Sequence, residues 1–376
     1  MKTAVSEMLG VEFPILAFSH CRDVVAAVTN AGGFGVLGAV AHTPHGLDVD
    51  LAWIDEQVKG KPYGVDLLLP AKYDSEAANK TLDRETVRQL LPAEAQQFVD
   101  DILRRYEVPS LAEGTDAALG RMNVSPAGVS SLLDVAFSHP IKLFASALGA
   151  PPAEIIERAH SHGAAVAALA GKADHALRHN ASGVDLIVAQ GTEAGGHTGT
   201  ISTMVLVPEV VDAVSPTPVL AAGGIANGRQ MAAALALGAQ GVWCGSVWLT
   251  TAEAETNPSV KKKFLAAKSA DTVRSRSMTG KPARMLRSAW TDEWDGPDAP
   301  AALAMPLQSL LVTPAHQRIN RSAARPGSGA EKLATYFVGQ VVGSMNSVKP
   351  ARQVVFEMVE EYTDVVGRFA DQLRSL

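Results

Sequence analysis

Residues 184–199 read VDLIVAQGTEAGGHTG: a short apolar run, Val184 to Ala189, then Gln190 and a glycine-rich loop with His197 directly behind Gly195 and Gly196. A strand that opens into such a loop sets a side chain able to carry a proton near neutral pH where the backbone can press against a flat ligand. What fold this stretch belongs to depends on how often similar runs recur.

They recur eight times. The runs are Pro14–Phe18, Phe34–Leu37, Tyr63–Leu69, Ile141–Ala145, Ala164–Leu169, Val184–Ala189, Pro218–Ala222 and Gly241–Cys244, with helix-like segments between most of them. Arg22–Ala31 has helical apolar spacing and stops at Gly32 and Gly33; Pro152–His162 begins with proline and ends at Gly163; Gly228–Leu237 is alanine-rich and closes at Gly238. Strands alternating with helices are the pattern of parallel βα units. Eight of them predict an α/β protein with a closed TIM (β/α)8 barrel. An open doubly wound sheet would need a glycine fingerprint after the first strand, and AFSHCRD at 17–23 contains no glycine.

Two blocks interrupt the repeat. Residues 71–125 form an expected helical insertion or lid between the third and fourth strands, with helix-favouring stretches at Glu85–Leu91 and Ala93–Tyr106. Residues 252–348 are richer in proline, glycine and polar residues and read as a substrate-side subdomain; the alternating run Thr272–Ser277 and a turn at Gly280–Pro282 suggest a hairpin. From 349 to 376 a helical period returns, with Val354, Val355, Met358, Val359, Tyr362, Val365 and Val366 on one face that should pack on the barrel. The barrel itself then comprises 1–70 and 126–251.

A chain of 376 residues is long for one domain, yet barrels often exceed the usual size. Hydrophobic residues at 47% suffice for a large core, while no apolar segment approaches the ~20 residues of a membrane span. The start, MKTAVSEMLG, lacks the features of a secretory leader, so the expected location is cytoplasmic. A net charge of -6 supplies no basic field for nucleic acid. The local cationic stretch Lys261–Arg287 reads as solvated surface before it reads as a grip on a phosphate tail. Cys21 and Cys244 have no metal-like spacing and read as reduced core thiols; no metal is expected.

In a βα barrel, function sits at the C-terminal ends of the strands, and phosphates are commonly held after the seventh and eighth. Here those ends carry Gly223-Gly224 and Trp243-Cys244-Gly245-Ser246, whose amides and hydroxyl suit an anion; a plain tight turn is the competing reading of the glycine pair. Gln190 could bond a ligand edge, Gly195 and Gly196 let the main chain approach it, and His197 is poised as a base. His20 ends the first strand and could also point into the site as a substrate contact. The other histidines are scattered without a ligand-like cluster.

These residues resemble a family. FPIL at 13–16, NAGGFGVLGA at 30–39, YGVDLLLP at 63–70, VAQGTEAGGHTG at 188–199, PVLAAGGIANGRQMAAALALGAQGVWCGS at 218–246 and GQVVG at 339–343 are similar to the FMN-dependent nitronate monooxygenases, once called 2-nitropropane dioxygenases, and through them to flavin enoyl-acyl-carrier-protein reductases. The resemblance implies non-covalent FMN, a small-molecule substrate and dioxygen, with His197 as catalytic base. It also implies flavin contacts from Gln190, Gly195, Gly224 and Trp243 to Ser246. Nitroalkanes or nitronates would give a carbonyl compound and nitrite.

The chain departs from the family in three places. Ala17-Phe18-Ser19-His20 replaces an alanine-proline-methionine-like turn against the flavin. Asp66 stands where the family has a flavin-contacting asparagine, and its expected negative charge would disfavour the reduced flavin anion. The insertion is larger than a small nitroalkane requires. A flavin reductase or dehydrogenase of an enoyl or acyl thioester is therefore the alternative enzyme, and a barrel that binds a phosphorylated ligand without chemistry is the alternative from another class.

Overall fold

The computed structural model describes residues 1–68, 89–110, 126–147 and 149–375. Eight parallel strands close into a barrel: β1 (Ile15–Ser19), β2 (Phe34–Gly38), β3 (Gly64–Leu67), β4 (Leu143–Ser146), β5 (Ala165–Ala170), β6 (Leu186–Gln190), β8 (Val219–Ala222) and β9 (Gly241–Cys244), with β9 returning to β1. The eight apolar runs are these eight strands. β3 is shorter than the expected run.

Because side chains alternate across a strand, each barrel strand feeds two cores. Leu16, Phe34, Val36, Leu143, Ala145, Ala167, Leu186, Val188, Leu220 and Ala222 fill the barrel, with Val5 and Leu9 of the helix Ala4–Leu9 joining them. The intervening residues, such as Ala17, Val65, Ile187 and Cys244, pack outward against the surrounding helices.

The helix Ala351–Arg374 lies on the helix Gly228–Ala236, as its apolar face implied. A Cβ on Gly228 would overlap the Met358 carbonyl oxygen and the Tyr362 nitrogen, so the two backbones nearly touch. Val354, Val355, Met358 and Val365 are buried there, whereas Val366 is exposed. Val366 follows Val365 by about 100° around the helix, which turns it off the contact stripe.

A second core lies outside the barrel. It joins residues of the added block, among them Phe264, Trp290, Trp294, Val312 and Leu333, to Ala95, Val99, Ile102 and Leu103 of the helix Ala93–Arg105. The described part of the insertion thus packs with the added block; the expected stretch Glu85–Leu91 lies mostly outside the described residues. The predicted hairpin is present as β10 (Thr272–Ser275) and β11 (Ala283–Leu286). Its outer edge captures a two-residue strand, β7 (Gly196–His197), so the loop after β6 is stitched to the added block.

Candidate functional site

A cavity of about 590 Å³ opens at the C-terminal ends of the barrel strands, roofed by the added block. His197 hangs into it from β7. Three contacts hold its loop. The Arg284 guanidinium donates from Nε to the Thr192 carbonyl at 2.8 Å, Arg274 donates from Nη2 to the Thr198 carbonyl at 3.0 Å, and the Gln340 amide donates to the Glu193 carbonyl at 2.9 Å. The Glu193 carboxylate accepts from the Thr203 amide at 3.0 Å, tying the loop to the start of the next helix.

The loop's glycines divide the work. A Cβ on Gly195 would lie 2.8 Å from the Gly339 nitrogen and the Val338 carbonyl carbon, so its missing side chain makes room for the segment 338–340 crossing above. Gly196, at φ 77°, would carry a Cβ with no heavy atom within 4 Å and is the one that opens to the cavity.

His197 Nε2 lies 2.8 Å from Thr279 Oγ1, which is 3.3 Å from the Lys281 carbonyl oxygen. When Nε2 carries the proton and donates to the threonine, the threonine donates onward to the carbonyl and both contacts are satisfied. That tautomer leaves the Nδ1 lone pair unused. Burial, and then the Lys281 ammonium, bring the imidazole down to about 4, so it is neutral at pH 7. Thr279 is invisible to motif reasoning because it lies 82 residues from His197 in sequence.

Across the mouth, Phe18 stacks on Trp243 with ring centroids 6.1 Å apart and meets the His20 ring edge-on at 5.1 Å. His20 donates from Nδ1 to the Gly38 carbonyl at 2.8 Å. Its ring is open to the cavity yet deep in the protein, and burial holds its pKa below the ordinary value against the opposing carbonyl bond. Asp66 is 4% exposed, and its Oδ2 has no hydrogen-bond partner among the described residues. Burial pushes its carboxyl well above the usual range. Desolvation therefore works against the negative charge expected at this position.

Of the residues singled out in the sequence, Phe18, His20, Asp66, Gln190, Gly195, Gly196, His197, Gly223, Gly224, Trp243, Cys244, Gly245 and Ser246 all border this cavity. Ala17 does not. Leu16 points into the barrel, so the strand's alternation turns Ala17 into the outer core, where it is fully buried. Cys244 borders the cavity but belongs to the same outer core, where burial pushes its thiol up to about 12; neither it nor Cys21 is in a disulfide. Gly223 and Gly224 both have positive φ, as the tight-turn reading requires. Ser246 Oγ accepts from the Gly339 amide at 2.8 Å, which leaves its own proton to donate. Tyr336, Phe337, Met305 and Asn320 complete the roof from the added block.

The cationic stretch is partly solvated, with Lys262, Lys268, Arg276, Lys281 and Arg287 exposed, and it contains the hairpin, while its four other cations bond to carbonyls. Besides Arg274 and Arg284, Lys261 donates to the carbonyls of Thr251 and Ala254, and Lys263 to that of Ala334. These cations fasten loops.

The nitronate monooxygenase family model matches residues 2–361. The chain belongs to the nitronate monooxygenase family. It is accordingly an oxidoreductase. A relative from Mycobacterium tuberculosis named "Putative monooxygenase Rv1533" is 66% identical over 369 residues, covering 98% of both chains. Among solved structures, nitroalkane oxidase from Streptomyces ansochromogenes matches with a TM-score of 0.79 at 27% identity, over 98% of this chain and 100% of that one. FabK from Thermotoga maritima matches with a TM-score of 0.72 at 25% identity, over 99% of each. No helix among the described residues is long and apolar enough to cross a membrane.

Proposed function

We propose that this protein is an FMN-dependent oxidoreductase that converts nitroalkanes or their nitronates to a carbonyl compound and nitrite with dioxygen, His197 acting as base. The single observation that carries the reading is the half-buried His197, held neutral by desolvation, with Nε2 tied to Thr279 and Nδ1 left free in that tautomer. Family membership and the likeness to nitroalkane oxidase support the substrate class.

The cavity fits a flat, phosphate-bearing ring. Gly196 faces open space, a Cβ on Gly245 would meet nothing nearer than the Phe18 ring at 3.8 Å, and Asp66, whose Oδ2 is buried, borders the same cavity. Gly223-Gly224 and Gly245-Ser246 would take the phosphate at the ends of β8 and β9, where barrels commonly hold one. Bound FMN would supply the electron-accepting chemistry that links substrate oxidation to dioxygen.

The chain's own contribution is proton transfer and enclosure. His197 Nδ1 removes the proton from the acidic carbon of a neutral nitroalkane. An imidazolium in this buried place is unfavourable alone, but the nitronate formed beside it is its counter-ion, so the pair sustains the transfer. The roof of Tyr336 and Phe337 limits water at the reacting carbon. A nitronate supplied ready-made needs no base.

Reduction of an enoyl or acyl thioester is the second reading, favoured by the likeness to FabK and by the cavity's size. The fastened cations of 261–287 weigh against a phosphate-tail grip there. The test is to purify the protein, record its flavin spectrum, and assay nitrite from a nitroalkane and a nitronate beside NADH oxidation with an enoyl thioester. Flavin with nitrite supports the proposal; flavin with thioester-dependent NADH oxidation and no nitrite overturns it.

A further inference from the structure

Asp66 and His20 are neighbours through an empty position. Gly38 of β2 pairs in register with Asp66 of β3, and a Cβ on Gly38 would fall 2.7 Å from the His20 ring and 2.9 Å from Phe18. The His20 imidazole thus fills, from the end of β1, the space that a side chain at 38 would occupy. The Asp66 carboxyl stands one strand away, at the roughly 4.8 Å spacing of adjacent strands. In the ring of strands, β2 lies four places from β6 in either direction, so this pair faces the His197 loop across the barrel mouth.

We propose that Asp66 and His20 form a donor–acceptor pair that reads the edge of a flat ligand carrying a carbonyl next to an N–H, with Asp66 donating as a carboxylic acid and His20 accepting at Nε2. His20 spends Nδ1–H on the Gly38 carbonyl, so a neutral ring presents its lone pair at Nε2. Asp66 has one carboxyl oxygen buried without a partner among the described residues, and the residue borders the cavity. A buried polar atom of this kind needs a ligand or water to satisfy it. Among the described residues no cation is paired with it: the residue opposite on β4 is Ala145, and His20 and the His42 behind it are titratable groups on the β2 side. Burial then keeps the proton on the carboxyl. A protonated carboxyl offers one donor and one acceptor, as the amide of an asparagine does, so the acid replaces an amide in function while adding no charge.

The inference rests on the flavin reading, because the flavin ring carries such an imide edge. It is tested first without ligand. The infrared spectrum of the wild-type protein should contain the carbonyl stretch of a protonated carboxylic acid that Asp66→Asn removes; a wild-type spectrum holding only ionised carboxylates overturns the proposal. FMN and its N3-methyl analogue are then titrated by fluorescence quenching. Wild type should bind the methylated ligand about tenfold more weakly, His20→Phe should bind the two within about twofold of each other, and Asp66→Ala should lose about tenfold for FMN where Asp66→Asn recovers most of the loss. Equal sensitivity to methylation in wild type and His20→Phe overturns the pair. Failure of the wild type to take up FMN at all removes the flavin reading and this ligand with it, while the infrared band still decides the state of Asp66.

Discussion

The two walls of the cavity each hold a titratable group whose charged form desolvation disfavours, and they hold it by different means. His197 sits on a loop that the barrel alone does not shape: β11, two arginines and the segment 338–340 of the added block fix it from outside. Asp66 and His20 sit on the barrel itself, one in a strand and one at a strand end, with Gly38 between them. The same physical cause, removal from water, prepares opposite chemistry. It favours an imidazole without its proton, ready to accept one, and a carboxyl with its proton, ready to donate a hydrogen bond. The base depends on two units meeting, whereas the acid depends on one.

Changes that loosen the roof should therefore damage the first wall and spare the second. The largest effect is expected from Gly195→Ala, whose new methyl would overlap the backbone at 338–339. Overpacking against main chain costs roughly 1–3 kcal/mol. Thermal unfolding should show that loss together with impaired nitroalkane turnover, while the infrared band of Asp66 persists.

Thr279→Val is smaller and more local. It removes the acceptor that holds the Nε2 proton of His197, and kcat/KM for a nitroalkane should fall by about tenfold. Thr279→Ser should restore it, and nitronate turnover should be nearly unchanged in both. A loss shared equally between nitroalkane and nitronate would mean that Thr279 shapes the cavity and does not orient the base.

Wild-type pH dependence is the gentlest probe. In the free enzyme the imidazole is held near 4, below its ordinary 6.5. Acid must reach that lower value before the base is lost, so kcat/KM for a nitroalkane should stay level from pH 7 to about 5 and fall only below that. A decline centred near 6.5 would indicate that His197 is solvated and the roof open.

The barrel was legible because its strands are short apolar runs closed by helix stops, and their alternation with helices leaves few topologies. The His197 loop was legible as a lining of the site but not as a strand. Gly196 and His197 become a strand only by pairing with Ala283 and Arg284, and a two-residue strand has no local signature. Thr279 was hidden for the same reason. The placement of the Ala17 side chain carried a signal: period-two alternation through Leu16, Ala17 and Phe18 already turns it away from the cavity. Asp66 was legible as a residue but its burial was not, since that depends on what surrounds it.

The most direct measurement compares nitrite release from a nitroalkane and from its preformed nitronate by wild type and by His197→Asn, both loaded with FMN. Removal of a general base typically costs on the order of 10²–10⁴-fold. Turnover of the nitroalkane should fall by that much while the nitronate keeps most of its rate. Equal losses on both substrates, or none on either, would contradict the assignment of His197 as the base.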